Sequence, residues 1–68
     1  MTEGQQAMLE HLVFDAKRHI QKKEYHSAHT LLLMAAKAVP GFDQSKKMLE
    51  AAGQCLAKAN GIEVEITI

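Results

Sequence analysis

Four histidines, one cysteine and two alternating glutamates are the residues of this chain with chemistry to offer. His26 and His29 stand three residues apart, which puts both imidazoles on one face of a helix. Such a pair could give zinc two ligands, and a structural zinc site takes four. Cys55 and an acid would have to converge from elsewhere to complete it; the bland reading is a surface histidine pair near the start of a helix. Cys55 falls in phase with apolar neighbours, where a free cysteine behaves as a small buried hydrophobe. A nucleophilic thiol needs an electropositive, accessible setting. Lys58 is near in sequence, but no histidine is placed to activate the sulfur. Glu63 and Glu65 share one face of the C-terminal segment, as a glycosidase pair does. On a terminal strand, alternating glutamates ordinarily form a solvated face that blunts aggregation. There is no glycine-rich phosphate loop and no Ser-His-Asp order. The chain reads as non-enzymatic, with no cofactor and no metal.

The elements that would position these residues follow from size and pattern. The 68 residues make one small domain. A chain of this length buries only about 60% of its unfolded surface, so its core is efficient or shared with a partner. Hydrophobic residues are 47% and charged residues 24%, a globular composition. Eight basic residues balance eight acidic ones, whereas a dedicated nucleic-acid binder carries a marked basic excess. One cysteine excludes an intrachain disulfide framework. The longest apolar run, Leu31 to Ala36, falls well short of the roughly 18 residues of a membrane span. The opening Met-Thr-Glu-Gly-Gln-Gln has no signal pattern, and a cytoplasmic location is expected.

Hydrophobic spacing predicts three helices over about residues 5–22, 25–39 and 43–59 within a bundle spanning 1–61. Thr2 and Gln5 fit a capping box. Met8, Leu9, Leu12, Val13, Ala16 and Ile20 form the first apolar stripe. Tyr25, Ala28, Leu31, Leu32, Ala35 and Val39 form the second, and Leu33 and Met34 widen it enough for contact from two sides. Val39-Pro40-Gly41 ends this helix. Asp43 is the expected N-cap of the third, with Phe42 stapled onto its first turn. Met48, Leu49, Ala52, Cys55, Leu56 and Ala59 line it, and Asn60-Gly61 stops it. Gly53, inside that helix, costs about 1 kcal/mol relative to alanine, which a close helix approach would explain. In residues 62–68 the period changes: Ile62, Val64, Ile66 and Ile68 alternate with Glu63, Glu65 and Thr67. This predicts a β-strand tail with no second strand to pair with. Two tails paired across a two-fold axis, or addition to another protein's strand, would satisfy it; the plainer alternatives are a tail packed as an extended segment on its own bundle, or one left over from a larger domain.

Lys17, Arg18, Lys22, Lys23, Lys37, Lys46 and Lys47 outnumber Glu24 and Asp43 over residues 16–47. With the end of the first helix placed beside the start of the third, they would form a local basic surface. It could meet an acidic peptide or a phosphate backbone, although a solvated lysine-rich surface is the plainer outcome and few aromatic residues are free for base stacking. Tyr25-x2-Ala28-x3-Leu32-x2-Ala35-x4-Pro40 resembles the second half of a tetratricopeptide repeat, a helix-turn-helix unit of about 34 residues. In the first half, Leu12, Asp15, Ala16 and His19 stand where that repeat carries Trp, Leu, Gly and Tyr. Ala16-Lys17, Tyr25, Ala28, Ala35, Pro40 and Met48-Leu49 are similar in spacing to the helical region preceding the J-domain of some co-chaperones. No His-Pro-Asp tripeptide occurs, so the resemblance implies the helical region alone, unable to stimulate a chaperone ATPase.

The expected fold is mainly α: a three-helix, tetratricopeptide-like bundle with a short C-terminal β-strand. The expected function is a protein-interaction module, co-chaperone-like on the strength of the resemblance, forming a homodimer or binding another protein. Its candidate interaction residues are Ile62, Val64, Ile66, Ile68, Lys17, Arg18, Lys22 and Lys23. Nucleic-acid binding through residues 17–47 is the alternative, and a metal site at His26 and His29 a further rival.

Overall fold

The computed structural model describes residues 2–39 and 41–68, with only the backbone of Phe42. Three helices follow one another: α1 (Glu3–Gln21), α2 (Tyr25–Ala38) and α3 (Phe42–Ala59). α2 lies in the middle. α1 and α3 both pack along it, and neither makes a comparable contact with the other. α2 is thus contacted from two sides, as its wide apolar face predicts. The result is a slab measuring 37 × 21 × 15 Å over its Cα atoms. Among the described residues, no helix is long and apolar enough to cross a membrane.

The helix boundaries follow from local chemistry. Gln5 N–H donates to Thr2 Oγ1 at 3.2 Å, and Thr2 N–H donates to Gln5 Oε1 at 3.0 Å. Both arms of the capping box form. The cap fixes the first turn, so α1 starts at Glu3, two residues before the boundary set by its apolar stripe. At the other end Lys23 N–H donates to Ile20 C=O and Glu24 N–H to His19 C=O. This is the Schellman arrangement, with Lys23 in the left-handed region at φ 62°. α2 ends at Ala38, and Val39 is extended at φ −97°, ψ 135°, the geometry forced on a residue before proline. Pro40 itself and the expected Phe42 staple lie outside the described residues. Asp43 is not the cap of α3. Gly41 is the extended N-cap, with no side-chain capping bond, and Asp43 sits in the first turn. There its carboxylate complements the positive end of the helix dipole.

The core is built mainly from small residues. Ala16, Ala28, Leu32, Ala35, Ala51, Ala52 and Cys55 are buried, and Leu32 and Cys55 are the largest side chains fully enclosed. Alanine contacts let the helices approach closely and leave larger side chains at the edges. Three expected stripe members, Met8, Leu49 and Leu56, are consequently exposed. Gly53 is exposed as well, and beyond its chain neighbours and its own helix backbone no described atom lies within 4 Å of where a Cβ would stand. Close packing within this chain therefore does not explain it.

The expected C-terminal strand is absent. Residues 62–68 are irregular, and there is no strand among the described residues. Alternation marks a two-sided extended backbone, but a strand also needs a ladder partner. A three-helix chain offers no edge. The segment instead runs without turn or bend and leans on its own bundle through Ile66.

Candidate functional site

The tail is seated at the opening between α1 and α3. Ile66 packs against the central cluster of Ala16, Ala28, Leu32, Ala51, Ala52 and Cys55, beside Ile20. Thr67 is held by one side chain of α3. Its N–H donates to Gln54 Oε1 at 2.8 Å, and Gln54 Nε2 donates to Thr67 Oγ1 at 3.2 Å. Ile68 reaches α1, where it lines a hollow with Lys17, Ile20, Gln21 and Ile66. A larger open hollow of about 620 Å³ runs alongside the tail, walled by Ile20, Tyr25, Lys58 and residues 63–66. The four aliphatics expected to lie together on the helices do not share one fate. Val64 and Ile66 are half-buried, whereas Ile62 is 56% and Ile68 38% exposed. The tail thus rests on its own chain and forms no strand.

α3 offers a second surface. Gln54 and Lys58 meet the tail, and Ala52 and Cys55 belong to the central cluster. Leu49, Gly53 and Leu56, spaced by four and three residues, form a stripe on another side of the helix. Leu49 is 50% and Leu56 37% exposed.

Lys17, Arg18, Lys22 and Lys23 are all exposed, as expected. The single basic surface is not found. Lys23 and Lys58 line one hollow with Glu24, Tyr25, His26, Ser27 and Ala59, so the end of α1 meets the end of α3. The alternating helix directions put Lys46 and Lys47, at the start of α3, at the opposite end of the slab. Arg18 is also partly neutralised, with Nη1 3.8 Å from Asp15 Oδ1, while His11 Nε2 lies 3.3 Å from Asp15 Oδ2.

The histidines do not converge. His29 Nδ1 lies 2.8 Å from the Ala52 carbonyl and must carry its proton to donate there, tying α2 to α3. His26 is exposed. His19 Nδ1 lies 2.7 Å from Glu24 Oε1 across the α1–α2 turn. Among the described residues, no three of His, Cys, Asp and Glu come together to hold a metal ion. Cys55 is fully buried, and burial pushes its thiol pKa above the ordinary value of 9.0, which keeps the sulfur protonated and unreactive.

No protein-family model, curated protein or solved structure matches this chain. The resemblances to tetratricopeptide and co-chaperone helices therefore rest on the residues that carry them. Sequence reasoning misses Gln54 and Lys58. Each reads as an ordinary polar position on a helix, and only the path of the tail gives it a role. Ile20 and Tyr25 belong to apolar stripes, as their spacing predicts, but their share in walling the tail hollow has no sequence signal.

Proposed function

We propose that this chain is a non-enzymatic protein-interaction module, acting by self-association or by docking a partner protein. The observation that carries this reading is the bare Leu49-Gly53-Leu56 stripe on α3. Scattered exposed aliphatics are ordinary on a small protein, but an aligned pair of leucines flanking a glycine is a surface a second helix can cover. A helix laid there would bury both leucines, and Gly53 would let the two backbones approach. Each leucine covered supports association by up to about 1.5–3 kcal/mol. The open space beside Gly53 supports the same reading, because a glycine that lowers helix propensity without an internal packing reason is accounted for by a contact outside the chain. A co-chaperone connection belongs to this proposal and rests on the residue resemblance. Nucleic acid ranks behind protein as a partner because the basic residues divide between the two ends of the slab. A cytoplasmic setting, also proposed, suits a free thiol at Cys55.

Sedimentation equilibrium of the full chain over a wide concentration range tests the self-association arm. A dimer is expected, and the double substitution Leu49→Glu, Leu56→Glu should return it to monomer with its helical circular dichroism intact. A wild-type chain that stays monomeric at millimolar concentration overturns self-association.

A further inference from the structure

We propose that the opening between α1 and α3 is a binding groove for a partner's extended segment, and that the chain's own residues 62–68 occupy it in cis as a removable strap. This deepens the interaction-module reading, and rests on it, by naming a second surface and the chemistry of its ligand.

The groove exists independently of the strap, because α1 and α3 each pack on α2 and hardly on one another. The side chain that the tail presses onto the central cluster is Ile66, beside Ile20 of α1. The strap itself is lightly held. Apart from Ile66, only Val64 is withdrawn from solvent, and both glutamates, Ile62 and Ile68 are exposed. Its hydrogen bonds to the groove come from one residue, Thr67, to one side chain, Gln54. Gln54 reads a backbone N–H and a hydroxyl, groups that a serine or threonine in any extended segment presents. Lys58 walls the same hollow as Glu63 and Glu65, so acidic residues just before the aliphatic anchor suit the site.

The occupant this geometry selects is an extended segment carrying an acidic residue, then a branched aliphatic, then threonine or serine. The hinge that would free the strap is already built. Gly61, at φ 81°, completes the end of α3 through Gly61 N–H to Lys58 C=O and Ile62 N–H to Ala57 C=O. Everything beyond Ile62 can leave without disturbing that cap. A tethered ligand competes at an effective concentration on the order of millimolar, so the closed chain should bind such a segment poorly.

The test is fluorescence anisotropy with a labelled peptide of the sequence of residues 62–68, titrated with full-length chains. The wild type should bind weakly. The full-length Ile66→Asp chain, whose strap cannot seat, should bind at least ten-fold more tightly. Adding Gln54→Ala to that chain should cost roughly three- to ten-fold, the worth of one or two ordinary hydrogen bonds. A labelled peptide with aspartate in place of the anchoring isoleucine should not bind either chain. A helical Ile66→Asp chain that binds the peptide no better than wild type overturns the proposal. If that variant loses its helicity, Thr67→Pro removes the N–H donor while keeping Ile66, and a smaller gain of roughly three- to ten-fold is expected. Loss of the fold in both variants also overturns it, by showing that residues 62–68 are a structural part of the bundle. The readout is peptide affinity rather than mass. Failure here leaves the α3 stripe and its sedimentation test standing, and failure there leaves this groove standing.

Discussion

α1 and α3 finish in the same backbone figure, built from different residues and leading to different outcomes. At the end of α1, Glu24 N–H donates to His19 C=O at 2.8 Å and Lys23 N–H to Ile20 C=O at 3.0 Å. At the end of α3, Ile62 N–H donates to Ala57 C=O at 2.9 Å and Gly61 N–H to Lys58 C=O at 3.0 Å. The residue in the middle is left-handed in both, at φ 62° for Lys23 and 81° for Gly61. Glycine takes that conformation freely, whereas for lysine it costs about 1–2 kcal/mol. The first end has a compensation the second lacks: the His19–Glu24 side-chain contact spans the strained residue. The two turns also lead into unlike segments. Lys23 leads into α2, packed on both sides. Gly61 leads into a segment anchored mainly by Ile66 and Gln54. Strain persists where the next element is firmly held, and glycine stands where it is not.

The largest disturbance to the firmly held half should come from overpacking. Ala28 and Ala35 are fully buried on α2, and leucine at either site should cost about 1–3 kcal/mol. A thermal melt of each variant checks this, since 1 kcal/mol moves the midpoint of a domain this size by about 4–8 °C. Full tolerance would mean that α2 is held less firmly than its burial implies. Next in size is Gly61→Ala, which imposes on the α3 end the strain α1 already carries. It should lower stability by about 1–2 kcal/mol in the same assay. Lys23→Gly is the reverse exchange. It should raise stability by about 0.5–1 kcal/mol, since relief of the left-handed strain exceeds the extra unfolded-state entropy of glycine. If Lys23→Gly gives no gain, the left-handed strain at the lysine is smaller than the extra unfolded-state entropy of glycine.

Cys55 gives a smaller effect on the α3 side. Burial raises its thiol pKa above 9.0, so the folded state keeps the proton to higher pH than the unfolded chain does. Below about pH 9 both states hold it and the contribution is fully present. As pH rises past that value the unfolded state releases it first, and stability should fall. Urea melts from pH 8 to 10.5 on the wild type and on Cys55→Ala should show an alkaline decline that is steeper for the wild type. Labelling of the native thiol should be far slower than in the unfolded chain.

Three helices, the Thr2–Gln5 capping box, the Asn60-Gly61 stop and the burial of Cys55 are legible in the sequence because each depends on residues close together in it. The end of α1 falls at Gln21, one residue before the expected boundary, and nothing announces the left-handed lysine, since no local rule favours lysine there. The tail misleads for a physical reason. Alternation in residues 62–68 records which side chains want cover, while the choice between strand and coil depends on whether a partner edge exists. Leu49 and Leu56 read as core because spacing identifies an apolar stripe without revealing how many neighbours the helix has. The basic surface fails on topology: with three helices in alternating directions, the end of the first meets the end of the third. Gln54, the residue that holds Thr67, has no sequence signal at all.

The smallest expected effect separates charge from backbone at the end of α1. Lys17, Arg18, Lys22 and Lys23 are exposed, and the last two sit just past the negative end of the helix dipole, where a cation is worth a few tenths of a kcal/mol in salt. Replacing Lys17, Arg18 and Lys22 with glutamine should each change stability by no more than about 0.5 kcal/mol. Lys23→Gln is the informative member. It removes the same charge as Lys23→Gly and leaves a side chain on the left-handed backbone, so it keeps the strain. The glutamine variant should therefore melt within a degree or two of wild type, while the glycine variant melts several degrees higher. Equal melting points for the two would show that a side chain on the left-handed backbone at residue 23 carries no measurable strain, and the two helix ends would then not differ in that respect.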